Sequence, residues 1–230
     1  MFFSHTIKNP NNLEIDNQDS YVIPFGHRCT SALACKYGNV RKCSFPFDWT
    51  IPSFPDKIIK VLENDFDDFI PDVHNNVIFN KYGIALVHFN PDIDKGIEEY
   101  KRRIERFKNI LNEKNKKLYF LYINEDYLYD SNYREDTFID NNFKKMLKLE
   151  CFIKNKYSGI NFVILYFDFK EHDIPQNYNI VNFILHTNNL YDKEENSTNG
   201  ILRVYCGEIL SKLFNTNLNV TILDVNVFHN

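Results

Sequence analysis

The spacing of apolar residues changes repeatedly along the chain, and each change marks an element. The run 21–25 is short and apolar, ends at Gly26, and predicts a strand; 30–37 carries helical spacing and is stopped by Gly38. Residues 41–55 hold three prolines and the only tryptophan, Trp49, and predict a packed loop, with a short helix at 56–64. Strand-like runs recur at 77–79, 83–89, 117–123, 161–167, 180–185, 201–205 and 219–227. Between them, 94–114 predicts a long amphipathic helix, with Ile97, Tyr100, Ile104, Phe107 and Leu111 on one face and Lys101, Arg102, Glu105 and Lys108 on the other. A second helix is predicted at 137–156.

Strands separated by helices of this length need crossover connections. The expected fold is therefore α/β: a mostly parallel sheet flanked by helices in three layers. A polar arm at 1–20 precedes a single domain at 21–230, and the stretches 1–18 and 192–200 are polar enough to be expected disordered. In such sheets ligands bind beyond the carboxyl ends of the strands. Residues 26–30, 88–90, 124–126 and Asp168 all fall there.

Composition narrows the function. With 43% hydrophobic residues in 230, the chain can bury a sizeable core. A formal charge of −4 gives no broad basic surface for nucleic acid or an anionic membrane. There is no apolar run long enough to cross a bilayer and no secretory leader, so a cytoplasmic location is expected. The five cysteines are scattered, without the paired spacing of a disulfide or zinc framework, so reduced thiols and no bound metal are expected. Only 7 glycines are present, and no phosphate-cradling loop occurs; no cofactor is expected.

The remaining chemistry centres on Cys29, where the chain leaves a strand and enters a helix. Helix N–H groups and the positive end of the helix dipole favour thiolate there, and the same N–H groups suit an oxyanion during acyl transfer. His88 stands at the end of the 83–89 run and is the best-placed base among the histidines, with His27, His172 and His186 behind it. An orienting third group could be Asn124, Asp126 or Asp168. Gly26, His27, Arg28 and Thr30 at the turn, Asp48 and Trp49 in the loop, and Arg103 and Arg106 on the long helix are candidates for gripping substrate. Each has a plainer reading as well. Cys29 could be a small packed hydrophobe, Asp48 a brace for its loop, and the arginines a solvated face.

The segment Pro24-Phe25-Gly26-His27-Arg28-Cys29-Thr30-Ser31-Ala32-Leu33 resembles the opening of the DUF1796 family, catalogued as papain-like cysteine peptidases. The resemblance continues through Phe45-Pro46-Phe47-Asp48-Trp49, Asn64-Asp65-Phe66, the run ending in His88 and Tyr100 to Phe107, about the first half of the chain. Departures stand at Phe25, at His27 and at Phe89, where an aspartate would follow the histidine. The resemblance implies a cysteine and histidine site acting on peptide, amide or ester. A related glycine-asparagine-cysteine group associated with capsule synthesis is more similar to acyl transferases, so an acyltransferase acting on a glycan or small molecule is the alternative. The label also implies a papain-like fold, whereas the periodicity implies a parallel sheet. Outside enzymes, the turn could serve a non-catalytic binding module, or Trp49 an interaction surface.

Overall fold

In the computed structural model of the chain, residues 3–10, 13, 15, 19–26, 28–124, 136–187 and 195–216 are described. Strands β1 (Phe3–Lys8), β2 (Ser20–Pro24), β5 (Lys117–Ile123), β6 (Asn161–Asp168) and β7 (Ile180–Thr187) form one sheet in the order β1-β7-β6-β5-β2. The pairs β2·β5, β5·β6 and β6·β7 are parallel, and β1 joins antiparallel at the edge. A second, two-stranded sheet pairs β3 (Thr50–Ile51) with β4 (Ala85–Leu86). The helices are α1 (Thr30–Tyr37), α2 (Pro55–Glu63), α3 (Ile93–Asn112), α4 (Asp136–Lys156) and α5 (Glu195–Leu213). No described helix is long and apolar enough to cross a membrane.

The central strands read as unbroken apolar runs because both of their faces are covered. Along β5, Tyr119, Leu121 and Ile123 pack with Ala34 and Cys35 of α1 and Leu202, Cys206 and Leu210 of α5. Leu118, Phe120 and Tyr122 face the other way, toward Ile58 and Val61 of α2, Phe107 of α3, and Met146 and Leu149 of α4. The mostly parallel, three-layer α/β arrangement expected from the periodicity is therefore present.

At the outer edge of the sheet, Lys117 N–H bonds to Asp19 O at 3.0 Å and Phe25 N–H to Leu121 O at 2.8 Å. The odd-numbered residues thus face β5, and Ser20, Val22 and Pro24 face the open side. Pro24 has no N–H to offer there, and Lys42 Nζ donates to Ser20 O at 2.7 Å. Both features blunt an edge that would otherwise invite pairing with another chain.

Five expectations need correcting. Residues 3–8 are a strand rather than a disordered arm: Phe3, His5 and Ile7 are partly buried and alternate with exposed Ser4, Thr6 and Lys8, which is the half-buried strand pattern. The stretch 201–205 lies inside α5, not in a strand, and α5 begins at Glu195, within the polar stretch 192–200. Residues 77–79 stay exposed, with only an isolated bridge from Phe79 to Ala85. The 83–89 run is reduced to the two residues of β4. The predicted strand at 219–227 lies outside the described residues.

Candidate functional site

The β2–α1 turn is built by close backbone packing. A Cβ at Gly26 would lie 2.6 Å from Arg28 O and 3.3 Å from Phe47 O, so only glycine lets the chain pass between them. Cys29 follows as the N-cap of α1: its carbonyl accepts the first helical bond from Leu33 N–H at 2.9 Å, while its side chain makes no capping bond. The first-turn N–H groups, which have no intrahelical acceptor, therefore lie at the sulfur's end of the helix, and no acidic residue occupies that turn. Cys29 is half-buried, and none of Cys29, Cys35, Cys43, Cys151 and Cys206 is in a disulfide.

Positive charge comes from α5. A Cβ on Gly38 would lie 2.7 Å from Gly207 O, so α1 and α5 cross at a glycine-to-glycine contact. About one turn earlier on α5, Arg203 Nε donates to Thr30 Oγ1 at 3.2 Å. The guanidinium thus sits against the residue that follows Cys29. Arg28, half-buried, is on the other side of the cysteine in sequence.

A second group gathers around Trp49. Pairing of β3 with β4 is extended by Val87 N–H bonding to Trp49 O at 2.7 Å, which brings His88 edge-on to the indole, with ring centroids 5.5 Å apart and planes at 88°. His88 is exposed and takes a left-handed backbone conformation, φ 56°, which ends the strand. Beyond it Phe89 stacks on Tyr100, at 5.6 Å and 7°. Arg41 lies 5.7 Å from the Trp49 ring centre and donates to Asp48 Oδ2 at 2.5 Å. Burial pushes the fully enclosed Asp48 carboxyl up, and the Arg41 charge beside it draws it back down.

Arg103 from α3 lies 4.6 Å from the Tyr100 ring centre and 3.6 Å from Glu99. Burial pushes the Tyr100 phenol up to about 12. Arg106, a candidate for gripping substrate, instead donates to Ser44 O at 2.6 Å and lines a separate pocket of 610 Å³ with Tyr21, Lys42 and Cys43, beside the start of β2.

The third group stands at the carboxyl ends of β5 and β6. Asn124 and Asp168 are fully buried. Asp168 Oδ2 accepts from Tyr166 OH at 2.9 Å, from His172 Nε2 at 2.7 Å and, at 3.4 Å, from Asn124 Nδ2, while Oδ1 accepts from Phe169 N–H at 2.7 Å. The His172 ring stacks on Phe143 of α4, with centroids 4.0 Å apart and planes at 10°.

The fold therefore sorts the candidates. Asn124 joins Asp168, His88 joins Trp49, and Asp48 lies close enough to Arg103 to feel its charge. Gly26 links the turn to the loop carrying Asp48 through the Phe47 carbonyl. His27 and Asp126 lie outside the described residues. Among the described residues, no carboxylate orients His88.

Sequence reading gave no role to Arg203, Arg41, Tyr100 or Tyr166, and ranked His172 behind His88. Arg203 was hidden because Ile201 to Tyr205 is an apolar run that suits strand and helix alike. The spacing of Asp168 and His172, four residues apart, was visible, but their meeting in a loop was not.

No curated protein and no solved structure matches the chain. Residues 20–77, which carry the Cys29 turn, α1, the Asp48–Trp49 loop and α2, match the family model described as "Putative papain-like cysteine peptidase (DUF1796)".

Proposed function

We propose that the chain is a cysteine-dependent acyl-transfer enzyme, a papain-like hydrolase of peptide, amide or ester bonds, with Cys29 as its nucleophile. The observation that carries this reading is the position of Cys29 as the N-cap of α1 at the carboxyl edge of a parallel sheet, with Arg203 held at the same first turn. A thiolate there is favoured by the helix dipole and the nearby cations. The family match over this segment points to the same residue.

In the reaction, a base removes the Sγ proton and the thiolate adds to the carbonyl carbon. The C=O electron pair moves onto oxygen, where the α1 N–H groups face the developing charge. Collapse expels the amine or alcohol, which takes the proton from the base, and leaves a thioester on Cys29. Water then gives its proton to the base and adds to the thioester; collapse releases the acid and regenerates the thiolate. A different acceptor in place of water makes the same site a transferase.

The test is to incubate the protein with a panel of p-nitrophenyl acyl esters and follow both nitrophenol release and the mass of the Cys29 peptide. The reading expects a burst of nitrophenol, an acyl adduct confined to Cys29 and loss of both in Cys29→Ala. Adducts spread over the exposed thiols, or turnover retained in Cys29→Ala, would overturn it.

A further inference from the structure

The geometry points to a second ligand site, apart from Cys29: the pocket of 610 Å³ beside the start of β2 takes an organic phosphate, a phosphate monoester on a hydroxyl-bearing body of sugar or nucleoside size. Three segments build it. Tyr21 stands at the start of β2, Lys42 and Cys43 in the loop after α1, and Arg102, Arg106, Asn109 and Glu113 at steps of three or four residues along one stripe of α3 and its C-cap. Cys29 follows the other end of β2, so the pocket lies at the opposite edge of the sheet from it.

The cations of this pocket lack the partners that other cations on α3 have. Lys101 pairs with Glu98, Arg103 with Glu99 and Lys108 with Asp65. Among the described residues, Lys42, Arg102 and Arg106 form no salt bridge, although Glu105 and Glu113 line the same pocket. Their other contacts fix them without neutralising them. Arg106 donates to Ser44 O at 2.6 Å, and Lys42 donates to Ser20 O at 2.7 Å with its Nζ 5.3 Å from the centre of the Tyr21 ring. The half-buried Arg106 guanidinium keeps further N–H donors for an acceptor in the pocket. Its charge reaches the opposite wall: burial pushes the Cys43 thiol up, and Arg106 draws it back down. An adjoining pocket of 210 Å³ shares Lys42 and Cys43, adds Lys36 and Arg41, and has no carboxylate in its wall. In a chain of net charge −4, positive charge is concentrated here.

A phosphate monoester is the anion that suits several such donors at once, because it carries close to two negative charges and presents three acceptor oxygens. The volume is far more than a bare ion fills and falls in the range of small-molecule sites. Tyr21, Cys43 and Ile110 offer apolar surface to the body of the ligand, while Asn109 and Glu113, one and two turns beyond Arg106, offer acceptors for its hydroxyl groups. No glycine-rich loop is needed, since side chains rather than backbone N–H groups supply the donors.

The test is protection of Cys43 from iodoacetamide at pH 8.5 in the full chain, read by peptide mass spectrometry with the exposed Cys151 as internal control. The probes are adenosine 5′-monophosphate and glucose 6-phosphate, against adenosine, glucose and inorganic phosphate at equal ionic strength. At about ten times its Kd, a bound ester should slow Cys43 labelling about 10-fold and leave Cys151 and Cys29 unchanged. Arg102→Gln and Lys42→Gln, both at exposed positions and checked by thermal unfolding, should each weaken that binding about 10-fold. Unchanged Cys43 labelling with both esters at millimolar concentration would overturn the site. Inorganic phosphate protecting as strongly as the esters would reduce it to an adventitious ion only, and full protection retained in both folded variants would contradict the role of the cations. Slowing of Cys29 together with Cys43 would overturn the separation of the two sites.

Discussion

Arg203 Nε donates to Thr30 Oγ1 at 3.2 Å, tying the middle of α5 to the first residue of α1. The contact brings a fixed positive charge to the turn that carries Cys29, and it links the cysteine's surroundings to a helix about 170 residues further along the chain. Arg203→Met keeps most of the bulk and removes the charge. Alkylation of Cys29 at pH 7 should slow about 2- to 5-fold, the effect of one partly exposed charge near a helix terminus. A rate equal to wild type, with folding intact, would mean that the guanidinium acts only on Thr30.

Arg41 and Asp48 form a buried pair in which the carboxylate is wholly enclosed and the guanidinium side chain is 22% exposed. Arg41→Ala should destabilise the fold by about 3–5 kcal/mol at pH 7, because it leaves a buried carboxylate without its cation. The pH dependence has a defined sign. The folded Asp48 carboxyl lies above its unfolded value of 3.8, so its contribution is fully present below that value and is lost as pH rises through the folded one. Wild type should therefore gain stability relative to Asp48→Asn on acidification from pH 7 to 4, and Arg41→Ala should cost less at pH 4 than at pH 7. Urea unfolding at the two pH values checks both.

Gly96 in α3 lies under the Phe89 ring, where a Cβ would come within 2.3 Å of a ring carbon. Alanine in place of a helical glycine ordinarily stabilises by up to about 1 kcal/mol. Here the overpacking should win, and Gly96→Ala should destabilise by about 1–3 kcal/mol. The displaced Phe89 pulls on His88 and hence on Trp49, so the emission of the only tryptophan should shift as well. Thermal unfolding and fluorescence read the two effects separately.

Phe107 is the hub of the core on the α3 side, with the rings of Phe25, Phe45, Phe47 and Phe66 within 6.4 Å, and it is fully buried. Phe107→Ala should cost about 3–5 kcal/mol, since close-packed rings cannot collapse into the space. Phe47 carries the carbonyl that abuts Gly26, so the same change should loosen the Cys29 turn and reduce alkylation selectivity among the five thiols.

Much of the fold was legible where one physical signal dominated. The run 117–123 is the strand β5, and 30–37 is the helix α1, because an unbroken apolar run between polar flanks and a helical run stopped by glycine leave little choice. The misreadings occurred where signals competed. Phe3 to Lys8 alternates correctly for a strand, but its polar neighbours suggested an arm. Ile201 to Tyr205 suits either period, and only packing of Leu202 and Cys206 against the sheet decides for helix.

The site divides in the same way. The place of Cys29 between a strand and a helix was legible, as was that of Gly26 in the tight turn between them. The partners of His88 were not, because a two-residue strand and a left-handed φ at His88 redirect the chain toward Trp49. Asp168 was placed correctly at a strand end, but its bond to His172 depends on how a loop folds back, for which no periodicity exists.

The central claim is that Cys29 is an activated thiol, and the chain carries its own comparators. Cys151 is exposed on α4, Cys35 is buried with its thiol pushed well up by desolvation, and burial also raises Cys43. The decisive measurement is the rate of iodoacetamide labelling at each of these four cysteines between pH 5 and 9, in one wild-type sample read by peptide mass spectrometry. The account predicts that Cys29 labels first at pH 6, despite being less exposed than Cys151, and that Cys35 stays unlabelled while the fold is intact. Labelling of Cys29 that trails Cys151 across the whole range would contradict it.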